Sequence, residues 1–289
     1  MHRTLLANNP GLAFCVIPAG AKAGVFHDRP RGLKPRPFTA SMSHLVLIFG
    51  LIAFPVAEGQ TIRSGEDVLR AMHDRYKDSW YQTITFTQKS TTYKPDGTSS
   101  VETWYEAALF PGKLRIDIGP ASDGKGYIFA DGKVTVVKDN KIAKTDKSIN
   151  MLLVLGFDVY TQDPATTIQV VKGEGYDVSK VREDTWDGKP VYVVGAEKGD
   201  LKSRQFWVEK ETLLFVREME PARGDASKVD DIRFIHYQPL AGAWIAAGVE
   251  VYTEGKKVFS EDYSDIRANV RLDAGTFDAA KFAETHWEK

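Results

Sequence analysis

A single cysteine, Cys15, stands in a chain of 289 residues, which excludes an internal disulfide and any cysteine-built metal site. Histidine is also scarce. Of the six present, only His73, His236 and His286 lie beyond residue 60, far apart and without a His-Glu-x-x-His run. The usual metal donors are therefore missing, and no metal site is expected. Neither sign of charge dominates: 38 Lys and Arg face 39 Asp and Glu. Phosphate binding needs a clustered basic excess, so nucleic acid is not an expected partner. Nucleophile elbows of the G-x-S-x-G kind are absent. Gly124-Lys125-Gly126 lacks the third glycine of a phosphate loop, and no helix follows it. The adjacent acids Glu261 and Asp262 fall on opposite faces of a strand. The expectation is no catalytic residue, no cofactor and no enzyme.

Long hydrophobic runs are lacking as well. The most apolar stretch, Leu45 to Val56, has about twelve residues, too short to span a bilayer. It suits the core of an export signal, with the small residues of Ala57-Glu58-Gly59 at the cleavage position. Residues 1–41 carry Arg29-Pro30-Arg31 and Lys34-Pro35-Arg36-Pro37, a composition that builds no core. We read them as a disordered extension or, if translation starts at Met42, as a start-site artefact. The expected organisation is residues 1–41 so read, a signal peptide at 42–59, and one domain over 60–289 exported to work as a monomer outside the cytoplasm.

What is present is alternation. Ser64 and Asp67 mark a helix start by reciprocal capping. Val68, Leu69, Met72 and Tyr76 then recur at helical spacing, predicting one amphipathic helix over about 65–78. From Tyr81 the period becomes two, with Ile84 and Phe86 between threonines. Lys94-Pro95-Asp96-Gly97, Asp131-Gly132 and Asp139-Asn140 punctuate an antiparallel meander. The pattern breaks at Ile149 to Tyr160, INMLLVLGFDVY, apolar all round. The stretch after Asp163-Pro164 reads either as a short helix or, by its β-branched residues, as strand. Strands then resume to about residue 265, and Phe277 to Phe282 should form a short turn or helix closing one end.

Roughly ten strands with three helical pieces predict a mainly β fold. The economical form is a curled antiparallel sheet, an incomplete β-barrel plugged by a helical lid. The expected apolar cavity draws on Phe86, Trp104, Leu114, Ile116, Val134, Val136 and Phe206. The expected lid uses Met151, Leu152, Leu155 and Phe157, with Gly156 as its hinge.

Five features in order carry a resemblance. They are the amphipathic helix ending in Trp80, the Phe86-Thr87-Gln88 strand, the strand entry Pro111-Gly112-Lys113-Leu114-Arg115, Asp131-Gly132-Lys133, and the apolar helix after the meander. Together the residues beyond 60 resemble the periplasmic outer-membrane lipoprotein carriers, the LolA-like family. The resemblance implies a lid-closed half-barrel that shelters acyl chains of lipoproteins or envelope lipids. It also implies an inner-membrane donor complex and an outer-membrane acceptor. One departure stands out. The well-studied carriers place a basic lid latch just before that proline, and here the residue is Phe110. A second reading therefore stands beside the first: an envelope-stress sensor on the same fold, binding lipid and an inner-membrane regulatory protein.

Overall fold

The computed structural model describes residues 61–222 and 225–287. The expected extension and signal peptide lie outside these residues. The first helix, α1 (Gly65–Tyr76), starts as its sequence dictates. Ser64 Oγ accepts from the Asp67 amide at 3.2 Å, and Asp67 Oδ2 accepts from the Ser64 amide at 3.0 Å. Its buried stripe is Val68, Leu69, Met72 and Tyr76.

Among the described residues, thirteen strands follow in one antiparallel sheet. The first six are β1 (Thr83–Tyr93), β2 (Ser99–Leu109), β3 (Lys113–Ile118), β4 (Gly126–Ala130), β5 (Lys133–Lys138) and β6 (Lys141–Lys147). After the helical segment come β7 (Val181–Trp186), β8 (Lys189–Val194), β9 (Gln205–Glu209), β10 (Phe215–Pro221), β11 (Val229–Leu240), β12 (Ala243–Thr253) and β13 (Lys256–Ala268). Every strand pairs with its sequence neighbours except that β6 and β7 do not meet, and β1 additionally pairs with β13. The order β6 to β1 and then β13 to β7 leaves β6 and β7 as free edges, so the barrel is not closed. Edge β6 is exposed along nearly its whole length and carries Lys141, Lys144 and Lys147, charges that discourage further strand addition.

The turns form where their residues permit. Gly97 takes φ 84°, and the Lys94 amide donates to Thr98 O at 2.9 Å across the hairpin. Two helices lie between the halves of the sheet in sequence: α2 (Met151–Gly156) and α3 (Pro164–Gly173). In α3 the capping acid outweighs the β-branched residues. Asp163 Oδ1 accepts from the Thr166 amide at 3.1 Å, and Pro164 occupies the first turn, where its missing N–H costs nothing. Thr167, Ile168 and Val171 then bury one face.

All three helices pack into one apolar cluster with the inner face of the sheet. The C-terminal tail does not close an end, as the sequence suggested. It lies on the outer face, where Phe282 packs with Ile128 of β4 and Val137 of β5. Beneath it Arg115 is fully buried. Its guanidinium donates to Asp117 at 2.9 and 3.0 Å, to Phe282 O at 2.8 Å and to Thr285 Oγ1 at 2.9 Å. The same group lies 4.0 Å over the Phe282 ring and 4.9 Å from the Trp287 ring.

Candidate functional site

Alternation along β1, β2 and β3 points Ile84, Phe86, Trp104, Ala108, Leu114 and Ile116 to the inner face. There they line a cavity of about 70 Å³. Its roof comes from the segment Asn150–Tyr160. Asn150 caps α2, its Oδ1 accepting from the amides of Leu152 and Leu153 at 3.1 and 3.2 Å. Helix α2 stops at Phe157, whose φ of −142° and ψ of −59° turn the chain into a 3₁₀ turn over Asp158–Tyr160. Phe157 presents its ring to the cavity beside Leu152 and Leu153.

The C-terminal part of this lid is fastened in two ways. Its last residue, Tyr160, is fully buried and stacks on Trp80 at 3.9 Å. It also meets Tyr76 edge-on at 5.3 Å, and its hydroxyl accepts from the Phe215 amide at 3.0 Å. Three residues earlier, Phe157 stacks on Phe110 with centroids 5.1 Å apart and planes within 6°. Next to it, Asp158 Oδ1 accepts from the Gly112 amide at 2.9 Å. That carboxyl is 2% exposed, and burial raises it to about 7 against the pull of its one hydrogen bond. Phe110 thus serves as half of a ring stack. The acid of the fastening sits on the lid itself.

Gly156 is not a free hinge. A Cβ placed there would lie 2.7 Å from Phe234 Cε2. Glycine lets the helix approach the sheet, a packing role that a sequence cannot distinguish from flexibility.

Of the residues expected in the cavity, Phe86, Trp104, Leu114 and Ile116 are brought together, with Leu152 and Phe157 from the lid. The others do not line it. Val134, fully buried, and Val136, partly buried, belong to the packed core. Phe206 on β9 is buried against Tyr176, ring centroids 6.0 Å apart. Met151 and Leu155 are buried in the core, since α2 is apolar on every side and only one side faces the cavity.

Sequence reasoning missed the polar residues of the cavity wall. Glu106 of β2 and Glu261 and Tyr263 of β13 line it. Tyr263 donates its hydroxyl proton to Glu261. Burial, reinforced by the charge of Glu261, pushes the Glu106 carboxyl well above the usual carboxylate range. Burial raises Glu261 too. The signal was available: Trp104, Glu106 and Ala108 share one face by alternation, so an inward tryptophan implies an inward glutamate.

Elsewhere, a wider groove of about 460 Å³ is lined by Trp186, Lys189, Glu209, Arg233, His236 and Glu250. Its charged wall gives it a different character from the cavity under the lid. No helix among the described residues is long and apolar enough to cross a membrane.

The class is therefore an open antiparallel half-barrel with a helical lid over an apolar cavity. Solved structures share that architecture. A candidate outer membrane lipoprotein-sorting protein domain from Vibrio parahaemolyticus aligns with TM-score 0.51 at 14% identity, over 76% of this chain and 98% of that one. A DUF1329 family protein from Desulfovibrio piger gives 0.49 at 16% identity, over 74% and 95%. A LolA superfamily protein from Nitrosomonas europaea gives 0.47 at 12% identity, over 72% and 96%. The chain has a LolA-like fold, and at these identities the likeness concerns the fold alone. No protein-family model and no curated protein matches the sequence.

Proposed function

We propose that this protein is an exported carrier that shelters acyl chains under its lid while they cross the periplasm towards the outer membrane. One observation carries the reading: an apolar cavity on the inner face of the sheet, roofed by a segment that is itself apolar on every side. Closed, the cavity holds about 70 Å³, whereas ligand pockets run from about 300 to 1,000 Å³. An acyl chain enters only when the Asn150–Phe157 end of the lid lifts while Tyr160 stays in its aromatic socket. Each methylene taken from water contributes roughly 0.8 kcal/mol, so a sixteen-carbon chain gains on the order of 10 kcal/mol. That gain has to offset the ring stack, the hydrogen bond and the apolar surface of α2 that lifting the lid uncovers, so cargo must re-cover the residues the lid gives up.

The proposed cargo is an acylated lipoprotein or an envelope lipid, received from an inner-membrane donor and passed to an outer-membrane acceptor. Native mass spectrometry of the protein purified from the envelope should find acyl-bearing species bound, and a fluorescent fatty acyl probe should enter it. Protein that is always empty and refuses the probe overturns the reading. N-terminal sequencing of the exported chain, expected to begin at Gln60, tests the compartment.

A further inference from the structure

An acyl chain alone has no use for the carboxyls in this cavity. Glu106 is 6% exposed, lines the cavity, and makes no hydrogen bond or ion pair with any described residue. Glu261 shares the wall and is close enough for the two carboxyls to disfavour each other's charge. A second buried group nearby is also incompletely satisfied. Gln88, 1% exposed, spends its amide N–H on Ser90 Oγ at 2.8 Å, while its Oε1 finds no donor. Gln88 lies on β1, the strand between those that carry the two acids, and its position pairs with Trp104 on one side and Tyr263 on the other, each two residues from one of the acids.

Leaving a buried polar group unpaired costs about 1–3 kcal/mol, more if it is charged. An arrangement with several acceptors and few donors is satisfied by a ligand that brings donors. Burial and mutual proximity favour the neutral form of each carboxyl, so the pair holds at most one negative charge, and that charge rejects an anionic head while attracting a cation. A primary ammonium meets every requirement: it is cationic, carries three donors, and is small enough to stay beside an apolar chain.

We propose that the cavity selects amphiphiles in which a primary ammonium adjoins the apolar chain, the ammonium docking between Glu106 and Glu261 with Gln88 Oε1 as a further acceptor. This rests on the carrier reading and narrows its cargo. The ammonium has two sources, an amine-headed lipid or the free amine of an acylated peptide, and both belong in the test.

Binding of hexadecylamine, hexadecanol and hexadecanoate to the full exported chain is compared at pH 7 by displacement of a fluorescent probe. The amine should bind ~10-fold more tightly than the alcohol and more tightly still than the carboxylate, because charge-assisted hydrogen bonds are about twice as strong as neutral ones. Glu106→Gln and Glu261→Gln should each lower amine affinity several-fold and leave the alcohol unchanged, so retained alcohol binding certifies the fold. A palmitoylated peptide compared with its N-acetylated form places the source: loss on acetylation means peptide, and no difference means lipid. If all three chains bind alike, or the carboxylate binds best, the selectivity proposal fails while the carrier reading stands. If none binds, both fall.

Discussion

Strand β3 presents two faces to two very different coverings. Inward, Leu114 and Ile116 meet a lid held by apolar packing and ring stacks, with single hydrogen bonds at Asp158 and Tyr160. Outward, Arg115, paired with Asp117 on its own strand, holds a C-terminal tail through two carbonyls, a hydroxyl and two aromatic faces. The apolar side should give way and the charged side should hold. Hydrophobic contact is non-directional, so a lid can lift and its cavity accept another greasy surface in exchange. A buried guanidinium has no substitute for its fixed partners, so its cover cannot lift without exposing an uncompensated charge.

The sharpest way to break that comparison is Arg115→Ala. Removing one partner of a buried pair costs about 3–5 kcal/mol, here leaving Asp117 unpaired and the tail without its anchor. Urea unfolding should show that loss, with hydrogen exchange rising throughout residues 275–287. A loss under about 1 kcal/mol would make the tail as loosely held as the lid, and the contrast would vanish.

Phe157→Ala tests the other side. Truncating a partly buried phenylalanine and its ring stack should cost about 2–3 kcal/mol. The variant should take up the acyl probe faster than the parent, since the loss falls on the closed lid. Slower uptake with unchanged stability would mean that Phe157 grips cargo and does not hold the lid.

The pH response of the lid comes next. Asp158 has a pKa of about 7 when buried, against 3.8 when free. A carboxyl raised by burial keeps its proton in the closed lid and loses it on opening. Between those values opening therefore releases a proton and becomes about tenfold more favourable per pH unit, levelling off above pH 7. From pH 5.5 to 7 that is roughly fifteen-fold, or about 1.6 kcal/mol, because the response is already half levelled off at the closed-state value. Uptake should quicken over that range, and Asp158→Asn should flatten the profile. Lys113, Asp131 and Lys133 border the same cleft, so substituting them in turn shows whether they share the response.

How much of this was legible follows the same two faces. The period-two runs through Ile84, Phe86 and Trp104, and the all-apolar stretch before Tyr160, were enough to read a curled sheet with a lid. They told an inward from an outward position but not where along the inner face the lid would rest. Val134, Val136 and Phe206 were therefore placed in the cavity when they belong to the core. Alternation set Arg115 and Asp117 opposite Leu114 and Ile116 but could not show their cover, which lies some 160 residues downstream in a tail whose phenylalanines suggested only a cap. Glu106 drew no reading because an acid on a strand ordinarily faces water, and Glu261 was set aside because its neighbour Asp262 falls on the other face.

Asp262 supplies the smallest effect and the cleanest control. It follows Glu261 on β13 but points the other way, its side chain 62% exposed and 3.6 Å from Lys89. Exposed pairs of this kind are worth little, so Asp262→Asn should change stability by no more than about 0.5 kcal/mol and leave amine and alcohol binding untouched. Glu261→Gln, one residue away and equally conservative, should reduce amine binding alone. If both substitutions act alike, the effect is the protein's overall charge acting at a distance. If only Glu261→Gln acts, one step along a strand separates a residue that meets cargo from one that meets water.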